Sequence, residues 1–158
     1  MKKIFYTVMC TSALTFISCS GDENISFSDS SQLIGEWNYI REEAIDANGD
    51  VVSTYVENNG QCPLDVFDFR EQGVLINTDY DFSTNPNQCS GNVNNETWKM
   101  SGSTLTLTFS TPNGKFEYAY EIKKGTSSEL IIQAPLTKAQ EEEYELNVVA
   151  LKHVFRKM

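Results

Sequence analysis

The sequence alternates apolar and polar residues along much of its length, and this period of two constrains the fold more than any other feature. The segment TLTLTF (104–109) alternates leucine or phenylalanine with threonine, and KFEYAYEIK (115–123) places apolar side chains at every second position. Successive side chains of a β-strand point to opposite faces, so each segment predicts a strand with one buried and one solvated face. The pattern therefore predicts an all-β protein.

Turn residues punctuate this pattern at short intervals. Asn48-Gly49 and Glu71-Gln72-Gly73 are typical of hairpin turns, and residues 83–92 are predicted as a loop. The strand-like segments are 33–40, 51–57, 65–70, 74–80, 97–101, 104–110, 115–123, 128–134 and 146–157. Many consecutive antiparallel strands with short connections predict an up-and-down barrel of about eight or nine strands or a sandwich, and periodicity does not choose between them.

Two short segments favour helix, one near each end of the strand-rich region. SDSSQL (28–33) offers a serine or aspartate cap for one helical turn before the first strand. PLTKAQEEEYE (135–145) begins with proline and contains Thr137 and Gln140 at the spacing of a capping box. We expect a turn of helix in each, with a solvated loop as the alternative for 135–145.

The first eighteen residues have the layout of a secretory signal peptide. Lys2 and Lys3 precede residues 4–17, which are apolar or small throughout, and Ser18 is a small residue before a cleavage point. At about 1.5 Å per residue this apolar run is too short to cross a hydrocarbon core of roughly 30 Å. We therefore predict an exported protein whose mature chain begins at Cys19.

The stretch Phe16-Ile17-Ser18-Cys19 resembles the lipobox of bacterial lipoproteins. The resemblance implies that Cys19 is acylated and anchors the protein to a membrane, with 19–31 as a flexible tether and 32–158 as the folded domain. Residues 20–24 are similar to the acidic signal of surface-exported lipoproteins of the Bacteroidota, which implies an outer-membrane lipoprotein exposed on the cell surface. The alternative is an ordinary signal peptide with a free or disulfide-bonded Cys19.

Gly35-Glu36-Trp37 resembles the G-x-W opening of lipocalins and of the lipocalin-like domains found in lipoproteins of the Bacteroidota. The resemblance implies an up-and-down β-barrel in which Trp37 plugs the closed end and Gly35 lets the first strand bend. It also implies that Arg156, late in the last strand, lies across the indole. The alternative is a chance strand with a core tryptophan.

Aromatic side chains alternate on several predicted strands, where they point inward. These are Tyr39, Phe67, Phe69, Trp98, Phe109, Phe116, Tyr118, Tyr120 and Phe155. They either fill the interior, which the small size of the domain favours, or line a cup for an apolar ligand. The resemblance implies non-covalent binding of a small, largely apolar molecule; the alternative is a non-enzymatic interaction module that docks another envelope protein or a glycan.

Three cysteines remain outside the predicted signal peptide. With Cys19 assigned to lipid, Cys62 and Cys89 are left in predicted loops of an exported protein, which favours a disulfide between them. A redox-active thiol is disfavoured because neither cysteine lies in a CxxC motif or beside a cationic group.

No motif in the sequence predicts a metal site, a cofactor or catalysis. Residues 46–50 lack the spacing of an EF-hand and are interpreted as a hairpin turn. Asp79 and Asp81 could share a cation or lie on one solvated strand face, and the second is favoured. His153, the single histidine, is interpreted as a packed or edge residue rather than a catalytic one.

The charge of the chain disfavours two classes of partner. The formal net charge is −10, and the mature chain is more acidic still because the signal peptide carries Lys2 and Lys3 and no acid. A strongly acidic protein repels phosphate backbones and anionic headgroups, so nucleic-acid binding and polybasic membrane docking are disfavoured.

Overall fold

The computed structural model describes residues 29–56, 62–83, 88–112, 114–142, 144 and 147–158. The predicted signal peptide, the lipidation site Cys19 and most of the tether lie outside these residues. The strands are β1 (Gly35–Asp46), β2 (Val51–Val56), β3 (Val66–Arg70), β4 (Val74–Ser83), β5 (Gln88–Ser101), β6 (Thr104–Thr111), β7 (Gly114–Gly125), β8 (Glu129–Pro135) and β9 (Val148–Lys157). The short helical elements are 3-10 turns at Ser30–Gln32 and Glu71–Gly73 and the helix α1 (Lys138–Glu141).

The strands close into an antiparallel barrel. From β3 to β9 each strand pairs with the next along the chain, and β9 returns to pair with β1. The long β1 is shared on its other side, because β3 pairs with Gly35–Asn38 and β2 pairs with Arg41–Ile45. Eight strands therefore form the closed barrel and β2 is an extra strand beside it, which confirms the predicted all-β up-and-down barrel.

A hydrophobic core fills one end of the barrel, which we call the closed end. Its inward side chains are Leu33, Trp37, Phe69, Leu75 and Trp98, all of them buried. Trp37 Nε1 donates a hydrogen bond of 2.8 Å to the carbonyl oxygen of Leu33. The indole is thereby fixed beneath the 3-10 turn that precedes β1.

Two strands are longer than the sequence pattern indicates. β5 begins at Gln88, so residues 88–92 belong to a strand rather than to the predicted loop, and β1 continues beyond residue 40 to Asp46. Residues 88–92 lack strand propensity, but β4 offers them a paired edge as far as Ser83 opposite Gln88. Pairing with a neighbouring strand outweighs local preference here.

Both predicted helical turns are confirmed. The 3-10 turn Ser30–Gln32 is capped by Asp29, whose side chain accepts a hydrogen bond from Ser31 N. The helix α1 has the capping box predicted at Thr137 and Gln140. Among the described residues, no helix combines the length and apolar character that crossing a membrane requires.

Cys62 and Cys89 form the predicted disulfide, with an S–S distance of 2.04 Å. Cys62 precedes β3 and Cys89 lies at the start of β5, so the bridge ties together two segments at the end of the barrel opposite the core.

Candidate functional site

A cavity of about 210 Å³ lies inside the barrel above the closed end. We call this half of the interior the cavity end. The cavity has aromatic walls made by Tyr39, Phe67, Phe109, Tyr120 and Phe155. Leu107 and Ile132 add aliphatic surface, and three polar side chains, Asp65, Asp79 and His153, complete the lining.

The nine aromatic residues predicted to point inward comprise five that line the cavity, two in the closed end and two that do neither. Five line the cavity, whereas Phe69 and Trp98 pack edge to face in the closed end with ring centroids 5.6 Å apart. Tyr118 packs against Phe109 at 5.8 Å but does not line the cavity. Phe116 is 47% exposed. The sequence left open whether these aromatic side chains fill the interior or line a cavity. In the structure, Phe69 and Trp98 fill the closed end and five others line the cavity.

The aromatic wall is held by contacts between its own rings. Phe155 is central, with Phe67 at 5.1 Å and Tyr39 at 5.3 Å between ring centroids. Tyr120 meets the ring of His153 edge to face at 5.5 Å. Tilted and edge-to-face pairs at these distances are favourable, so the wall is preorganised rather than assembled by a ligand.

Asp65 lies just before β3 and joins two strands of the barrel. Its carbonyl oxygen accepts a hydrogen bond of 2.9 Å from Tyr39 N in β1, and its Oδ1 accepts one of 2.7 Å from Tyr80 N in β4. Burial and the charges of Asp79 and Asp81 raise the pKa of the Asp65 carboxyl, although the bond from Tyr80 opposes them. The carboxylate is therefore fixed in position but electrostatically unfavourable.

Asp79 belongs to the barrel interior, so its interpretation as part of a solvated face is wrong. In β4 the buried Leu75 fixes which face is inward, and Asn77 and Asp79 follow it at steps of two. Two amides hold the Asp79 carboxylate, with Asn77 Nδ2 at 2.9 Å from Oδ1 and Asn94 Nδ2 at 3.1 Å from Oδ2. The parity with Leu75 was the sequence signal that could have revealed this.

His153 is packed against the cavity rather than exposed at an edge. Its Nδ1 lies 3.3 Å from Tyr39 Oη and 3.6 Å from Glu42 Oε2, and Tyr144 Oη donates a hydrogen bond to the other oxygen of Glu42. Burial lowers the pKa of His153 and the negative charge of Glu42 opposes that change. Burial likewise raises the pKa of Tyr120 to about 12, with smaller contributions from Tyr118 and Glu42.

At the closed end, the cation above the indole is Lys157 and not the predicted Arg156. Lys157 Nζ lies 4.9 Å from the centre of the Trp37 ring and donates a hydrogen bond of 2.8 Å to the carbonyl oxygen of Ile34. Phe155 points into the core, so strand alternation sends Arg156 outward, where it is exposed, and Lys157 inward.

Gly35 provides room for this contact. It has φ of +121°, and a Cβ at this position would lie 3.2 Å from Lys157 Cε. A side chain here would therefore be strained by the backbone and would crowd the lysine stem.

The polar groups of the site are the carboxylates of Asp65 and Asp79 together with the Tyr39 hydroxyl and the His153 ring, which lie 3.3 Å apart. Among the residues that the structure describes, no group of three or more His, Cys, Asp or Glu side chains could hold a metal ion. No protein-family model matches the chain, and a search of curated proteins finds no match either.

Proposed function

We propose that the protein is a lipoprotein of the outer membrane, anchored through Cys19, whose barrel binds a small and largely apolar molecule without chemical conversion. The observation that carries the proposal is the cavity of about 210 Å³ with walls of five aromatic side chains. Burial of apolar ligand surface against such walls is the main favourable term in small-molecule binding.

The size of the cavity limits the ligand. Pockets for drug-sized molecules start at about 300 Å³, and this cavity is smaller. A compound with one ring and a short side chain fits this volume, whereas a long acyl chain or a steroid does not.

The proposed location rests on the N-terminal sequence. The lipobox-like residues 16–19 supply the anchor, and the acidic residues 20–24 favour export to the cell surface. We expect a Cys19→Ser variant to lose its lipid label and to leave the membrane fraction. Protease treatment of intact cells should remove the barrel, and a barrel untouched by the protease would contradict surface exposure.

Native mass spectrometry of the full-length protein purified from its own host tests ligand binding. We expect a small molecule to co-purify with the wild-type protein. Phe109→Trp places a larger ring in the cavity wall and should abolish that added mass. Phe116→Trp is the matched control, because Phe116 lies opposite Phe109 on the next strand but does not line the cavity.

Two outcomes would contradict the binding proposal. One is a co-purifying molecule that survives Phe109→Trp, since it would then occupy another place. The other is the repeated absence of any added mass together with no binding of small aromatic probes in solution.

The second candidate function is a non-enzymatic interaction module, and the extra strand β2 favours it. β2 carries no charged residue, and Val51, Val52, Tyr55 and Val56 are all exposed. β2 lies beside β1 at the margin of the barrel, and its exposed apolar side chains suit contact with another envelope protein. A photo-crosslinker at position 55 should then capture one protein in intact cells, and Val56→Lys should abolish the capture.

A further inference from the structure

We propose that the ligand of the cavity is a small organic cation, whose charged group lies at Asp65 and Asp79 and whose apolar part contacts the aromatic wall. This inference rests on the proposed function and specifies the chemical class of the ligand. It follows from the charge of the cavity and the nature of its walls.

Among the described residues, neither carboxylate of the cavity forms an ion pair. The hydrogen bonds that described residues donate to the side chains of Asp65 and Asp79 come from neutral backbone or amide N–H groups. The ion pairs of the described residues lie elsewhere. Outside the described residues the sequence contains no arginine or histidine, and its lysines there are Lys2 and Lys3 of the predicted signal peptide. A negative charge in a partly buried site without a counter-ion is costly unless a ligand supplies one.

His153 does not supply that positive charge. Among the described residues that line the cavity His153 is the only basic one, and burial lowers its pKa below the ordinary value of 6.5, which favours the neutral ring near pH 7. Glu42, which contacts His153, adds another carboxylate next to the cavity. The potential inside the cavity end is therefore negative.

An orphan acceptor lies beside Asp79. Asn77 is only 7% exposed, and its Nδ2 donates to Asp79 Oδ1. That bond fixes the orientation of the amide, because a carboxylate accepts only from the NH₂ side. Asn77 Oδ1 is then left without a hydrogen-bond partner among the described residues. Asn77 does not line the cavity, so its amide holds the Asp79 carboxylate in place and leaves the negative charge of Asp79 for a ligand.

The aromatic walls decide between an organic cation and a metal ion. Faces of phenylalanine and tyrosine attract weakly hydrated organic cations within about 6 Å. A metal ion instead requires several oxygen or nitrogen ligands around one point, and the described residues contain no such group of three. Aromatic walls with two acceptors at one side match a ligand that is apolar at one end and cationic at the other.

Isothermal titration calorimetry on the full-length chain with three probes of one shape tests the inference. The probes are 2-phenylethylammonium, 2-phenylethanol and phenylacetate, which carry a cation, a neutral hydroxyl and an anion on the same ring. We expect the ammonium compound to bind at least tenfold more tightly than the alcohol and phenylacetate not to bind. Asp79→Asn and Asp65→Asn should each weaken ammonium binding about tenfold and leave alcohol binding nearly unchanged.

Glu36→Gln is the matched control, because it removes one negative charge from the exposed outer face of β1. It should leave all three affinities unchanged, and equal losses in Glu36→Gln and Asp79→Asn would overturn the inference. Retained binding of the alcohol shows that a variant is folded. If the alcohol or phenylacetate binds as tightly as the ammonium compound, the inference fails while the proposed function stands. If none of the probes binds to the wild-type chain, both fail.

Discussion

The two ends of the barrel interior differ in how completely their side chains fill space. At the closed end, Trp37, Phe69 and Leu75 are each at most 1% exposed and belong to one continuous core. At the cavity end, rings of similar size leave about 210 Å³ between them and share the lining with Asp65 and Asp79. The same strand alternation thus builds a core in one half and a cup in the other, and carboxylates appear where close packing ends.

Removing Trp37 should have the largest effect on stability. Truncation of a fully buried tryptophan costs about 3–5 kcal/mol through lost burial and the cavity left behind, so Trp37→Ala should lower the free energy of unfolding by that amount in urea titrations. Phe109→Ala at the cavity end should cost at most about half as much, because a partly exposed ring beside an existing cavity loses fewer contacts. Equal losses at both positions would contradict the contrast between the two ends.

The disulfide should contribute nearly as much to stability as Trp37. It acts by lowering the conformational entropy of the unfolded chain. The bridge closes a separation of 27 residues, for which the chain-entropy relation gives about 3.5 kcal/mol. The double variant Cys62→Ser/Cys89→Ser should lose that stability. Its native tryptophan emission should stay unchanged, because Trp37 and Trp98 both lie in the closed end. A shifted native emission would mean that the closed end depends on the bridge.

Lys157 and Arg156, the two basic residues at the end of β9, should differ in how much they contribute to stability. Lys157→Met keeps the apolar stem but loses the cation above Trp37 and the bond to Ile34 O, which together should cost about 1 kcal/mol. Arg156→Met, at the neighbouring exposed position, should change stability by less than about 0.5 kcal/mol. Thermal unfolding of both variants checks this, and the reverse order would restore Arg156 as the partner of the indole.

The barrel was predictable because its signals are local and repeated. Alternation marked the strands, glycine marked the hairpins, and the capping box at Thr137 marked the one α-helical turn. The start of β5 was not predictable in this way, since residues 88–92 become a strand only because β4 is there to pair with them. Local propensity carries no information about such a partner.

The candidate site was predictable in part. The two wrong predictions, for Arg156 and Asp79, both assigned a side chain to the wrong face of the sheet. Five of the predicted aromatic residues line the cavity, because inward parity was correctly assigned on their strands. The cation above Trp37 was predicted one position too early, at Arg156 and not at Lys157. A shift of one residue moves a side chain to the other face of the sheet. Asp79 was predicted to face solvent because it is polar. Its position four residues after the buried Leu75 on the same strand places it on the inward face. The cavity volume depends on how rings from opposite strands meet, which no single strand specifies.

The smallest expected effect is the change of stability with pH. It has opposite signs for Asp65 in the interior and Asp46 at the end of β1. The pKa of Asp65 is raised in the folded state, chiefly by burial, so the folded protein binds this proton more tightly than the unfolded chain. Stability is then lost as the pH rises from the ordinary value of 3.8 through the raised pKa. Asp65→Asn keeps an acceptor for Tyr80 N and removes the charge. It should therefore raise the melting temperature slightly at pH 7 and leave it unchanged near pH 3.

Asp46→Asn, at the last residue of β1, is the control of opposite sign. The pKa of Asp46 is lowered, chiefly by its hydrogen bond from the backbone of Asp50, so its contribution is present above the ordinary value of 3.8 and lost as the pH falls through the lowered pKa. Asp46→Asn should lower the melting temperature at pH 7, and the difference should shrink in acid. If Asp65→Asn also lowers the melting temperature at pH 7, the Asp65 charge is compensated in the folded protein, and the cavity end lacks the negative potential that would draw a cation.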